Sequence, residues 1–164
     1  MRYVLTSDQQ EERVMAMDMQ GEERIGAPIQ KVWEALNDPE VLKECIPGCQ
    51  SLEKKSDTDL EAVVTLKIGP IKAKFQGAVE LKNLKPPHSY TIQGEGKGGI
   101  AGFAKGGADV TLKEDGADTT ILTYTAKADV GGKMAQLGSR LINSTSKKLA
   151  GQFFDTFNKK VSGA

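Results

Sequence analysis

An α+β fold, with a curved antiparallel sheet of six or seven strands around one long C-terminal helix, follows from three features of the sequence. From about residue 60 to residue 130, apolar and polar residues alternate with a period of two, the mark of strands with one face solvated. From Lys133 to about Val161 the period becomes helical: Met134, Leu137, Leu141, Thr145, Leu149, Phe153, Phe157 and Val161 fall on one stripe. Between a first strand and the alternating run lies VWEALNDPEVLKECIPGC, residues 32–49, which reads as two short helices and a turn.

Residues 1–16 are polar and lack a sustained period, and are expected to be an extension or leader outside the domain of residues 17–164. Met17 to Gly26 reads as the first strand. Ala27-Pro28 opens a helix with Ile29, Val32, Trp33 and Leu36 on its apolar face. Asp38 is suited to cap a second short helix, with Pro39 at its first position. Pro47-Gly48 suits the central positions of a type II turn, where glycine supplies a positive φ.

The alternation then begins. Leu60, Ala62, Val64, Leu66 and Ile68 share one face of a strand, and Ile71, Ala73, Phe75, Gly77, Val79 and Leu81 share one face of the next. Gly69-Pro70 marks the turn between them. Further strands are predicted over His88 to Lys97, Gly102 to Glu114 and Asp118 to Val130, with Asp115-Gly116 in the last turn. The closing stripe holds no proline; if continuous, its helix is about 29 residues and roughly 43 Å long.

Eighteen glycines stand against five phenylalanines, three tyrosines and one tryptophan, and parity places many small residues on the inner face of the sheet. Ala62, Ala73, Gly77, Gly94, Gly96, Gly106, Ala108, Ala126 and Ala128 lie on it or near it. Packed interiors leave few voids, so either the helix approaches closely or space remains between helix and sheet. Glycines also let long strands bend. A cavity there would be mostly apolar; its expected lining is Val64, Phe75, Ile92, Phe103, Leu122, Tyr124, Met134, Leu137 and Leu141.

Composition removes several function classes. Formal net charge is zero, so no overall field recruits nucleic acid or anionic lipid. No apolar run is long enough to cross a bilayer. The two cysteines, Cys45 and Cys49, fit a reducing cytoplasm better than a disulfide scaffold. A metal site would need more ligands than these and the lone His88 provide, so no metal and no cofactor is expected. Cys45 reads as a small buried hydrophobe, with a redox disulfide across the Pro-Gly turn as the alternative. His88 has no identifiable partner for acid–base work and reads as a surface residue. The run Gly94 to Gly107 resembles a phosphate loop only superficially, because strands flank it on both sides. Its expected role is a hairpin at the cavity mouth, with Ile100 and Phe103 as apolar tips. Ser139 and Arg140 lie beside the apolar stripe of the last helix; Arg140 suits either a polar ligand head or a surface carboxylate. Trp33 and the cluster of Phe153, Phe154 and Phe157 read as core.

Several segments together resemble the carbon monoxide dehydrogenase G-subunit family, a branch of the START-like, helix-grip superfamily. They are Gly26-Ala27-Pro28 with Val32-Trp33, Leu36-Asn37-Asp38-Pro39, Leu42, and Cys45-Ile46-Pro47-Gly48-Cys49. They continue with Lys67 to Lys72, Phe75-Gln76-Gly77, the glycine-rich stretch from Gly94 to Gly107, Gly131-Gly132-Lys133, Ala135 to Arg140, and Phe153-Phe154. The resemblance spans residues 17–161. It implies a helix-grip fold with an interior cavity for a hydrophobic ligand. It also implies an accessory role to a molybdenum hydroxylase such as carbon monoxide dehydrogenase, aiding contact with the cytoplasmic membrane or its quinone. Many members carry a Pro-rich linker and a C-terminal membrane segment; residues 1–164 contain neither.

The leading expectation is a non-enzymatic, cytoplasmic domain, peripheral to the membrane at most, that binds a lipid or quinone and partners molybdenum hydroxylase subunits. A docking adaptor without ligand is the second reading. A START-like cyclase or hydrolase is the third, opposed by the scarcity of inward-facing acids, bases and nucleophiles, with Tyr124 the main polar exception.

Overall fold

The structure, a computed structural model, describes residues 14–163. Strand β1 spans Val14–Ile25, followed by helices α1 (Ile29–Leu36) and α2 (Pro39–Cys45). Strands β2 (Cys49–Lys54), β3 (Asp59–Ile68), β4 (Ile71–Lys85), β5 (Ser89–Lys97), β6 (Phe103–Glu114) and β7 (Thr120–Gly131) come next, and α3 (Ser139–Ser162) closes the chain. The strands form one sheet in the order β1-β7-β6-β5-β4-β3-β2, every pair antiparallel.

The α+β expectation of a curved antiparallel sheet around a long helix holds, with three changes. β1 starts at Val14, where Val14 pairs with Gly131 of β7, so residues 14–16 belong to the sheet; the rest of the expected extension lies outside the described residues. A strand, β2, follows the Pro-Gly turn directly and pairs with β3. The last helix is not continuous from Lys133. A short 3-10 turn covers Gly132–Leu137, and α3 begins only after Gly138, whose φ of +91° favours glycine and breaks the helical path.

Local chemistry explains the helix pair. Asp38 caps α2 by accepting a hydrogen bond from the Glu40 amide at 2.9 Å, with Pro39 at the first turn. The turn after α2 closes with the Cys49 amide donating to the Ile46 carbonyl at 3.1 Å. Gly48 at its centre has φ +77°, and a Cβ there would lie 2.0 Å from the Thr65 carbonyl oxygen. The buried Thr120 hydroxyl donates to the Ala27 carbonyl at 2.8 Å, fixing the entry to α1 against β7.

α3 crosses the inner face of the sheet. At one end Leu141 stands over Gly69 in the β3–β4 turn; at the other the Gly26 amide donates to Asn158 Oδ1 at 2.9 Å. Two apolar clusters result. The larger gathers Ile25, Val32, Trp33, Leu122 and Phe157 under the C-terminal half of α3, where burial of each large side chain contributes about 1.5–3 kcal/mol. The smaller gathers Ile68, Phe75, Val130, Met134 and Ile142 near its start.

Candidate functional site: two apolar chambers beneath the closing helix

Space remains between helix and sheet. The larger chamber, of about 580 Å³, is bordered by both apolar clusters. Its floor is built from the small residues Ala62, Gly77, Gly94, Gly96, Ala108, Ala126 and Ala128. A Cβ on Gly96 would meet nothing within 4 Å, and one on Gly77 would meet only carbonyl oxygens at 3.8 and 3.9 Å. Gly106 has another role: a Cβ there would lie 2.1 Å from the Lys127 carbonyl oxygen, so its absence lets β6 and β7 approach closely as the sheet bends. Of the two alternatives the small residues left open, room under the helix is the one realised.

A smaller, more enclosed chamber of about 230 Å³ adjoins it, sharing Ile46, Leu52, Val79 and Ile92. It lies between α1, α2 and the phenylalanines of α3, bordered by Leu36, Leu42, Tyr90, Leu122, Phe153 and Phe154. The volume of the larger chamber alone suits a small apolar ligand.

The predicted lining residues divide. Val64, Phe75, Ile92 and Met134 border the larger chamber, and Leu122 borders the smaller, as does Ile92. Four sit elsewhere. Tyr124 stacks on Phe154 with ring centroids 5.4 Å apart and covers Gly21 of β1. Its phenol is pushed up by burial, with Glu23 adding to the effect. Phe103 lays its ring over Gly131 beside a separate groove, so it is not a tip at the mouth. Leu137 packs into the smaller cluster from the 3-10 turn, and Leu141 meets the β3–β4 turn. Sequence reasoning missed Met17 and Met19 of β1, Ile46-Pro47 of the turn, Ile142, and the pair Thr145–Ser146, all around the larger chamber. The Ser146 hydroxyl contacts the Met17 sulfur at 3.7 Å.

The β5–β6 connection holds a 3-10 turn at Gly99–Ala101 that exposes 84% of Ile100, while Gly98 lies against the Phe75 ring. β5 and β6 flank it, in agreement with the rejection of a phosphate loop.

Reactive chemistry is sparse here. Cys45 and Cys49 are free thiols. Cys45 is 2% exposed, as a small hydrophobe closing α2 would be, and burial pushes its thiol up. Burial also raises Cys49, against the lowering effects of its contact with the Ser51 carbonyl at 3.3 Å and of Lys43. Neither thiol is a ready nucleophile at neutral pH. His88 is exposed at the start of β5, and Ser139 and Arg140 are exposed in the first turn of α3. No cluster of His, Cys, Asp and Glu among the described residues is suited to hold a metal ion. No helix among them is long and apolar enough to cross a membrane.

Comparison with known proteins follows the same lines. Residues 21–162 match the CoxG family, described as the G subunit of carbon monoxide dehydrogenase. No curated protein matches the chain in sequence. A conserved protein from Geobacillus kaustophilus is 32% identical, with a TM-score of 0.85 over 90% of this chain and 96% of that one. The aromatase/cyclase ZhuI from Streptomyces sp. R1128 is 10% identical, with a TM-score of 0.66 over 90% and 94% of the two chains. A truncated norcoclaurine synthase from Thalictrum flavum is 18% identical, with a TM-score of 0.59 over 90% and 94%. At such low identity the last two establish the shared START-like fold alone.

Proposed function

The chain belongs to the CoxG family of carbon monoxide dehydrogenase G subunits, and from that premise we propose that it is a non-enzymatic accessory protein that carries a hydrophobic ligand, a lipid or quinone, for a molybdenum hydroxylase such as carbon monoxide dehydrogenase. The observation that carries this reading is the apolar chamber of about 580 Å³ kept open by glycines and alanines on the sheet floor. An apolar space of this size forgoes packing that larger side chains at Ala62, Ala126 or Ala128 would supply, so it calls for a use. The charged residues at its border, Glu95, Lys105 and Lys127, alternate with the inner Gly94, Gly106 and Ala126 and so belong to the outer face of the sheet. The polar side chains of the helix, Thr145 and Ser146, make no acid–base–nucleophile set, which supports carriage over turnover.

Native mass spectrometry of the protein purified from its own host tests the reading. A co-purifying neutral hydrophobic molecule, displaced when Ala126 is enlarged to Phe, is the expected result. Protein that arrives without ligand and takes up no quinone or lipid in vitro would sink it.

One observation favours a docking role beside carriage. Ile100 projects from the β5–β6 turn with Lys97 and Lys133 on the flanking segments, a tip suited to contact with a partner oxidase or a membrane surface. Capture of the oxidase subunits by the full chain, weakened by Ile100→Ser and unaffected by delipidation, would assign the tip to protein docking.

A further inference from the structure

The smaller chamber holds one polar group that the fold does not use. Tyr90 of β5 is 5% exposed and borders this chamber, with its ring edge-on to Trp33 at a centroid distance of 5.4 Å. Its hydroxyl has no hydrogen-bond partner among the described residues, in which no sealed side-chain oxygen or nitrogen is left unpaired. The phenol oxygen therefore opens on space, and the space that Tyr90 borders is the chamber.

The other polar residues at this chamber are spent or peripheral. The Asn37 amide donates to the Trp33 carbonyl at 2.9 Å, and Lys54 is exposed at the rim. The rest of the lining is aliphatic or aromatic. A phosphate or carboxylate head would lose its hydration there for a single hydroxyl, at heavy cost. A purely hydrocarbon ligand would leave the phenol unpaired. A neutral oxygen acceptor on an apolar body satisfies both constraints.

We propose that the smaller chamber takes the carbonyl-bearing head of the ligand, with the Tyr90 O–H donating to that carbonyl, while the apolar remainder lies in the larger chamber. Burial raises the Tyr90 phenol well above the ordinary tyrosine range, so the group stays a neutral donor. The ligand enters head first, past the residues the chambers share. This rests on the ligand-carrying reading above and adds to it a ligand class, an orientation and a donor.

The test uses the full chain and two probes of one skeleton, 2,3-dimethyl-1,4-naphthoquinone and 2,3-dimethylnaphthalene. The methyl groups of the quinone block thiol addition. Affinity is read by calorimetry, and quinone location by quenching of Trp33, the single tryptophan. Wild type is expected to bind the quinone with quenching. Tyr90→Phe is expected to weaken quinone binding about 5- to 10-fold, the worth of one hydrogen bond, and to leave the hydrocarbon within about twofold. A quinone affinity unchanged in Tyr90→Phe, or binding without Trp33 quenching, overturns the proposal while the carrier reading stands. Binding of neither probe to wild type overturns both. A second measurement does not depend on ligand: an unpartnered hydroxyl predicts a Tyr90→Phe melting temperature no lower than wild type. A lower one would show the hydroxyl paired within the fold and overturn the assignment.

Discussion

The two halves of α3 follow one amphipathic pattern and do opposite things. From Phe153 to Val161 the helix presses large side chains onto Ile25, Val32, Trp33 and Leu122, and Phe157 is fully buried. From Thr145 to Leu149 it stands off the sheet and roofs the larger chamber, with Ile142 at the chamber's edge packed into the smaller cluster. The sheet mirrors the division. The inner face of β7 runs Thr120, Leu122, Tyr124, then Ala126, Ala128 and Val130, large under the packed half and mostly small under the open half. Periodicity decides which face of an element turns inward; side-chain volume on both partners decides whether what lies inward is core or cavity.

The sharpest way to break this comparison is to truncate one large side chain in each half. Phe157→Ala should cost about 3–5 kcal/mol, since a fully buried ring leaves both a transfer loss and a cavity. Leu149→Ala should cost about 1 kcal/mol or less, because a half-buried leucine at the edge of an existing space leaves little new cavity. Denaturant titrations of the two variants decide the matter. Near-equal losses would mean that the open half is packed in solution.

Enlargement should give the same ranking. Ala27 is 2% exposed in the packed end, and Ala27→Phe forces a ring into filled space at a cost of about 1–3 kcal/mol or more. Ala126→Phe points into the larger chamber and should change stability by less than about 1 kcal/mol while abolishing ligand uptake. A destabilisation by Ala126→Phe as large as that of Ala27→Phe, seen as a matching fall in melting temperature, would count against the chamber.

The packed half was more legible in the sequence than the open half. Strand parity was readable throughout, because one-sided burial forces alternation: the inner set predicted for β4, from Ile71 to Leu81, is the inner set observed. Asp38, Pro39 and Gly48 do what their local chemistry demands. The cavity lining was read less well, for identifiable reasons. Leu137 and Leu141 were placed by extending one helical phase back to Lys133. The 3-10 turn and the break at Gly138 shift that phase, so Ile142 takes the buried position and Leu141 turns to Gly69. Tyr124 faces inward as parity requires, yet it is claimed by Gly21 on the neighbouring strand, while Phe103 has the opposite parity to Ala104, Val110 and Leu112 and lies over Gly131, a pairing set by cross-strand register. Tyr90 carried the same inward parity as Ile92, Gly94 and Gly96, so its place was readable; its missing hydrogen-bond partner was not.

The smallest expected effect asks what holds the packed half closed. Lys160 of α3 pairs with Glu44 of α2, and this contact joins the end of the helix to the short helix pair. Both side chains are well exposed, at 37% and 58%, so attraction is weakened by water and offset by the entropy of ordering two long side chains. Glu44→Gln should therefore cost about 0.5 kcal/mol or less, and the difference from wild type should vanish in concentrated salt. If burial closes this half, chemical denaturation will barely register the substitution beside the Phe157→Ala loss. A cost above about 2 kcal/mol that salt removes would mean that charge holds the two helices together, and the contrast between the halves of α3 would then rest on an ion pair instead of on side-chain volume.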